Sequence, residues 1–420
     1  MTILVRKARI RDIHSPHNGK TMDLLISNGE IIDIAENITS SADKTIESDG
    51  LEVSPGWVDI FAKGTDPGFE FKDDLDSVAA SATKGGFTHI FITPNTQPVT
   101  QNKIGIQYIK GHSSHHPVQL HPIGAISKNT DGKELTEMFE MKQNGAVAFG
   151  DGTKSIQSAG LLIKALQYVN AFEGIVIQIP DDHSVAPHGL MHEGIVSTQI
   201  GLPGKPALAE EIMVARDIAL LRYTNSKLHL TGISLSTSVE MIRNAKKEGL
   251  NITCSITPYH LVFTDTSLLS GYDTNLKVNP PLRSENDRQA LIAGVKDGTI
   301  DCITAHHTAQ HTDAKVCEFE YAGFGMLGLE SAFGLLCTTG LQEDEILKAI
   351  CFNPRKIFSL DSSISVGNKA DITIYKPNEE KLFSTTDIKS KSLNSPFIGR
   401  FLKGEVIATM LENKLNTNEK

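Results

Sequence analysis

The histidines are the residues of this sequence whose chemistry stands out. The chain has 15 histidines among 420 residues, and imidazole together with carboxylate is a common ligand set for divalent metal ions. A metal ion held in this way lowers the pKa of bound water from ~15.7 towards ~7 and so makes a nucleophile at neutral pH. The candidates are His260, His306, His307 and His311, together with Asp151 in the segment Phe149-Gly-Asp-Gly.

The composition excludes several other classes of protein. The five cysteines are scattered without CxxC spacing, which favours a reducing compartment and argues against a structural zinc site. The formal net charge is −10 and there is no basic block, so nucleic acid is not an expected partner. Without a signal peptide or a run of ~18 apolar residues, we predict a cytoplasmic protein that does not span a membrane.

Both ends of the chain have a β pattern. Two apolar runs join at Asn28-Gly29, a pair that tolerates the positive φ of a tight hairpin. Residues 370–375 and 404–410 predict two more strands. We therefore expect residues 1–54 and 361–420 to form one small β-sandwich domain.

The middle of the chain alternates short apolar strands with amphipathic helices. Predicted strands include residues 88–93, 174–178 and 228–231, and predicted helices include 207–223 and 236–248. About eight such units fit between residues 55 and 360, which favours an α/β fold, a closed (β/α)8 TIM barrel, over an open sheet.

Several segments of the sequence resemble those of a known family. Ser54-Pro-Gly-Trp-Val-Asp59 resembles the segment that opens the barrel in the amidohydrolase superfamily, and later segments resemble the dihydroorotase branch. These include Thr93-Pro-Asn-Thr-Gln-Pro, Gly189-Leu-Met-His-Glu-Gly, Lys277-Val-Asn-Pro-Pro-Leu-Arg and Ser392-Leu-Asn-Ser-Pro-Phe-Ile-Gly. The resemblance implies an amidohydrolase-type barrel and zinc at the carboxyl ends of its strands.

Most positions where the resemblance implies metal ligands carry other residues. Phe61 and Lys63 replace two histidines, and Thr65 replaces the arginine that grips the substrate carboxylate. Ile179 and Gly232 replace two further histidines, and His306 stands in place of the acid/base aspartate. Asp151 is the one ligand-type residue retained. We therefore predict no bound metal cofactor and no catalytic residues among these positions.

Some residues of the predicted pocket have two possible roles. The Lys63 ammonium could pair with the Asp151 carboxylate as counter-charge for a missing metal. Asn95 and Asn279 match family residues that contact substrate, although both could simply brace loops. His306, His307 and His311, with Asp151 or His260, could also form a relocated metal site.

Three functional hypotheses follow. The first is a non-catalytic dihydroorotase homologue of pyrimidine biosynthesis that acts as a structural partner of aspartate carbamoyltransferase. The second is an active dihydroorotase or related cyclic amidohydrolase with a rearranged site, converting dihydroorotate and water to carbamoyl-aspartate. The third is a small-molecule binder or sensor. The resemblance also implies a homodimer.

Overall fold

The computed structural model describes residues 1–112 and 117–418. Sixteen of the eighteen strands in this part of the chain form two sheets of eight strands each, and the other two strands pair with each other. The strands, numbered in chain order, are β1 (Thr2–Ile10), β2 (Thr21–Ser27), β3 (Glu30–Ala35), β4 (Lys44–Ile46), β5 (Glu52–Pro55), β6 (Trp57–Ala62), β7 (Phe87–Ile92), β8 (Gln119–Gly124), β9 (Ala148–Phe149), β10 (Val176–Gln178), β11 (Met191–His192), β12 (Gly204–Lys205), β13 (Leu228–Thr231), β14 (Ile252–Ile256), β15 (Cys302–Ile303), β16 (Asp371–Leu382), β17 (Phe401–Leu411) and β18 (Lys414–Thr417).

The α-helices lie mostly between the strands of the central part of the chain. They are α1 (Leu75–Gly85), α2 (Lys103–His112), α3 (Met138–Gln143), α4 (Ala159–Asn170), α5 (Ile195–Ile200), α6 (Leu208–Thr224), α7 (Ser236–Lys247), α8 (Glu285–Lys296), α9 (Ala332–Leu336), α10 (Glu343–Leu347) and α11 (Asn353–Phe358). No helix in the described part of the chain is long and apolar enough to cross a membrane.

The eight central strands confirm the predicted barrel. They are parallel and follow the order β15-β14-β13-β10-β9-β8-β7-β6. The last strand is tied to the first by the buried Asp59 carboxylate of β6, which accepts hydrogen bonds from the Thr304 hydroxyl at 3.0 Å and the Ala305 N–H at 2.5 Å. The Lys63 N–H also donates to the His307 carbonyl at 2.9 Å. These contacts close the gap between β6 and β15.

The strands from both chain ends form a separate sheet, which confirms that the two ends come together beside the barrel; its division into the two layers of a sandwich stays a prediction. Its order is β18-β17-β16-β5-β1-β2-β3, with β4 paired to β1. Antiparallel pairing of β16 with β5 joins the two ends of the chain. The hairpin between β2 and β3 turns at Asn28 (φ 51°) and Gly29 (φ 83°), which is the left-handed conformation expected of this pair.

A buried polar network connects this sheet to the barrel. The Asp371 carboxylate at the start of β16 accepts hydrogen bonds from the Arg355 guanidinium at 2.6 Å and the Thr88 hydroxyl at 2.7 Å. It also lies 3.0 Å from His89 Nε2, and the other nitrogen of that ring is 2.9 Å from His121. The Arg355 and His89 charges help to hold the pKa of Asp371 well below its usual range despite burial.

Candidate functional site

The carboxyl ends of the barrel strands surround a cavity of about 310 Å³, called here the inner cavity. In this fold the active sites are built at that end of the barrel. Phe61 lies in β6, Lys63 follows β6, Ile179 follows β10, and His306 follows β15. The lining residues are Phe61, Lys63, Thr153, Ile179, Tyr259, Asn279, His306, Thr308, Gln310, Phe324 and Gly325. Four of the substituted positions, Phe61, Lys63, Ile179 and His306, therefore converge on one pocket.

An aromatic stack occupies part of this pocket. The Phe61 and His306 rings lie 4.5 Å apart, centroid to centroid, with 32° between their planes. His306 Nε2 is 2.8 Å from the Thr231 hydroxyl, which accepts a hydrogen bond from Ser255 at 2.7 Å. Burial lowers the pKa of His306 to about 3. His306 is therefore a neutral, packed ring at neutral pH, and it does not serve as a charged acid.

The backbone at Gly232 favours glycine. Its φ is +72°, and a Cβ at this position would lie 3.1 Å from His306 Cε1 and 3.2 Å from Pro280 Cδ. A residue with a side chain would therefore be both strained and crowded here. Glycine at position 232, where the resemblance implies a histidine ligand, suits both the positive φ and the nearby His306 ring.

The Asp151 carboxylate is used to hold a loop. One oxygen accepts hydrogen bonds from the Ile126 and Ser127 N–H groups at 3.0 and 2.9 Å, and the other accepts from the Ser127 hydroxyl. Burial raises the pKa of Asp151, although these hydrogen bonds favour the anion. These three donors fix Asp151 against the segment that follows β8.

The predicted pairing of Lys63 with Asp151 is not formed. The Lys63 ammonium makes no hydrogen bond or ion pair with any residue that the structure describes. Burial, and secondly the Lys72 charge, lower the pKa of Lys63 to about 8. Lys63 therefore brings an uncompensated amine to the pocket, while the Asp151 carboxylate is stabilised by hydrogen bonds and by the Lys154 charge.

Both candidate substrate-binding asparagines have their amides engaged with the protein. Asn95 donates to the Asp151 carbonyl at 3.0 Å and accepts from the Thr153 N–H at 2.8 Å. Asn279 donates to Asp181 at 3.0 Å and accepts from the Lys205 ammonium at 2.9 Å. These are the contacts of loop-bracing residues, and a substrate would have to compete with them.

The other candidate histidines do not converge on a shared centre. His307 lies 3.3 Å from the Asp73 carboxylate, away from the inner cavity, and His260 lies between the Thr257 hydroxyl and the Pro281 carbonyl. The half-exposed His311 is 3.3 Å from the Asp313 carboxylate. Among residues 1–112 and 117–418, no three His, Cys, Asp or Glu side chains are grouped to hold a metal ion.

The residues present do not fit the zinc that the resemblance implies. Phe61, Ile179 and Gly232 have no donor atom, and the Asp151 oxygens already accept three hydrogen bonds. Zinc in proteins takes several N, O or S ligands in close geometry. The absence of a bound metal stays a prediction, which a measurement of the metal content tests.

The sequence interpretation missed two lysines near the pocket. Lys72 and Lys154 line a second, outer cavity of about 800 Å³, which shares Lys63 and Thr153 with the inner one. Lys72 lies nine positions after Lys63, and Lys154 follows Asp151 closely. No periodic pattern marks either residue, because each lies in a loop outside the strands and helices.

Comparisons with known proteins agree with this fold. Residues 50–238 match the family model described as dihydro-orotase-like. The chain is 41% identical to dihydroorotase of Acetivibrio thermocellus, with 100% of this chain and 99% of that protein covered, and 39% identical to dihydroorotase of Ruminiclostridium cellulolyticum, with 96% of each covered. The solved structure of L-hydantoinase (dihydropyrimidinase) from Arthrobacter aurescens superposes with a TM-score of 0.84 at 22% identity, covering 98% of this chain and 95% of that one.

Proposed function

The chain belongs to the dihydroorotase-like family, and from that premise we propose that it is a non-catalytic member of the family. It would hold no metal at its strand ends and would act in pyrimidine biosynthesis as a structural partner. The observation that carries the proposal is the composition of the barrel mouth. The Phe61 ring packs against the His306 ring, and a side chain at position 232 would be both strained and crowded.

The geometry supports a pocket that binds without activating water. The neutral His306 shares a hydrogen bond with the Thr231 hydroxyl, and the Asp151 carboxylate already accepts hydrogen bonds from two backbone N–H groups. A general base for hydrolysis has to reach the proton that it removes and to have a pKa near the working pH. Neither His306 nor Asp151 meets both conditions in this pocket.

A second candidate function is an active dihydroorotase. It is favoured by the relatives named dihydroorotase at about 40% identity over nearly the whole chain, and those names support it better than they support a non-catalytic protein. The two proposals disagree on turnover. An assay of the interconversion of dihydroorotate and carbamoyl-aspartate, with and without added zinc, separates them. We expect no turnover above the buffer rate, and zinc-dependent turnover would contradict the non-catalytic proposal.

The proposed partner is aspartate carbamoyltransferase, with this chain as a homodimer. Co-expression of the two chains followed by size-exclusion chromatography tests the partnership. We expect co-elution at a mass above that of either component. Separate elution at concentrations well above the micromolar range would contradict the partnership, while the mass of the chain alone tests the homodimer.

A further inference from the structure

The two cavities at the barrel mouth form one positively charged pocket. They meet at Lys63 and Thr153, and the outer cavity adds Lys72 and Lys154. Among the described residues that line either cavity there is no Asp, Glu or Arg. Three ammonium groups therefore face this space without a carboxylate in its walls, in a chain whose net charge is −10.

None of the three ammonium groups is neutralised by an ion pair within the described structure. The Lys63 ammonium has no hydrogen-bonding or ionic partner there. The Lys154 ammonium makes no direct ion pair, although its charge helps to lower the pKa of the neighbouring Asp151 carboxyl. The Lys72 ammonium donates to the neutral Gln310 amide oxygen at 3.1 Å and lies 5.6 Å from the centre of the Phe69 ring. The lowered pKa values of Lys63 and Lys72 agree with buried positive charge that lacks a counter-ion.

We propose that this pocket binds a small phosphorylated molecule, with Lys63, Lys72 and Lys154 around the phosphate group and the rest of the ligand in the inner cavity. The inference rests on the proposed function, because it requires a pocket in which Lys63 meets an anionic ligand and no metal ion. It adds the chemical class of that ligand.

The charges favour phosphate over carboxylate. Lysine binds phosphate as a compact point charge, and arginine can bind either a phosphate or a carboxylate with two parallel hydrogen bonds. The pocket lining contains lysines and no arginine, and Thr65 lines the outer cavity. A doubly charged, tetrahedral group can contact several ammonium groups at once, and a carboxylate with one charge cannot balance three.

The inner cavity determines what the rest of the ligand can be. Its walls include the Phe61 and Phe324 rings and the Ile179 side chain, with the Asn279 amide held by Asp181 and Lys205. A flat, largely uncharged body fits these walls, because aromatic surface prefers ring partners. Phenyl phosphate is therefore a suitable probe.

Isothermal titration of the full chain with phenyl phosphate, inorganic phosphate and benzoate tests the proposal. We expect phenyl phosphate to bind more tightly than inorganic phosphate, and benzoate, which has the same ring and one charge, to bind most weakly. Binding should weaken as salt concentration rises. Equal or tighter binding of benzoate would overturn the phosphate assignment, and no heat of binding at millimolar phenyl phosphate would overturn the site.

Lysine variants show whether the named residues hold the anion. Lys63→Met is expected to weaken phenyl phosphate binding by about tenfold, the effect of losing one charge-assisted hydrogen bond. Lys63→Arg should retain most of the binding. The matched control is Lys164→Met, since Lys164 is exposed on α4 and lines neither cavity. Equal affinities of Lys63→Met and Lys164→Met, in proteins with unchanged melting temperatures, would overturn the proposal.

The two proposals can fail separately. Zinc-dependent turnover counts against the non-catalytic function, whether or not phenyl phosphate binds. A metal-free, inactive protein that binds phenyl phosphate no better than benzoate counts against the ligand class alone.

Discussion

Replacing Asp151 tests whether its carboxylate holds a loop or binds a metal. The side chain is 2% exposed, and one of its oxygens accepts the Ile126 and Ser127 N–H groups. Asp151→Ala would leave both buried N–H groups without their acceptor, and the Ser127 hydroxyl would lose its carboxylate partner. Asp151→Asn would keep one oxygen for the two N–H groups and would present its amide to the hydroxyl.

The contacts give the expected magnitudes. A buried donor left without a partner costs about 1–3 kcal/mol, so Asp151→Ala should lower the free energy of unfolding by about 2–5 kcal/mol, less any compensation by water. Asp151→Asn loses only the charge that strengthens these hydrogen bonds and should cost about 1–2 kcal/mol. The main expectation is that Asp151→Ala lowers the free energy of unfolding more than Asp151→Asn does.

Urea unfolding followed by circular dichroism measures these differences, with metal content determined for each preparation. The matched controls are Asp33→Ala and Asp33→Asn, since Asp33 is exposed on β3. If Asp151→Ala falls within about 0.5 kcal/mol of the Asp33→Ala control, the range of an ordinary surface substitution, the loop-holding role is wrong. If wild type contains stoichiometric zinc that both Asp151 variants lose, Asp151 is a metal ligand and the reasoning is refuted.

Three further predictions concern stability. Gly232→Ala should cost more than Gly340→Ala, because both glycines have positive φ but only a Cβ at position 232 meets neighbours within 4 Å; equal urea midpoints would contradict this. The hydrogen bond to Asp73 helps to raise the pKa of His307 above 6.5, although burial opposes this shift. Protonated His307 therefore stabilises the fold below pH 6.5, and this stabilisation is lost as the pH rises through the pKa of the folded protein. The loss of unfolding free energy in His307→Gln should therefore be larger at pH 6 than at pH 9, and a pH-independent loss would count against it. Burial raises the pKa of Glu52 from 4.5 to about 8, so the stability of the protein falls as the pH rises between these values. Glu52→Gln should therefore raise the melting temperature at pH 8 and change it little at pH 4.5. A lower melting temperature of the variant at pH 8 would show that the folded protein favours the charged form of Glu52.

Much of the fold is predictable because hydrophobic pattern and turn chemistry are local. The helix predicted over 207–223 is α6 (Leu208–Thr224), and the strand predicted over 228–231 is β13 (Leu228–Thr231). The strand predicted over 370–375 continues to Leu382 in β16, because β17 pairs with its polar second half. That pairing is a long-range contact which no short window of sequence contains.

Less of the candidate site than of the fold could be predicted from the sequence. The positions that bear Phe61, Ile179 and Gly232 can be identified from motif spacing, but the stack of Phe61 on His306 joins residues 245 positions apart. The expected Lys63–Asp151 pair does not form because backbone N–H groups and a hydroxyl already hold Asp151. Competition between such partners depends on loop geometry, which composition does not encode.

The proposed function requires that these strand ends hold no catalytic metal. Its most direct test is the zinc content per chain, measured by mass spectrometry on protein purified from zinc-supplemented cells, together with dihydroorotate turnover in the same preparation. We predict well under one zinc ion per chain and no turnover above the buffer rate. One or more zinc ions per chain, with turnover that a chelator abolishes and zinc restores, would contradict the account.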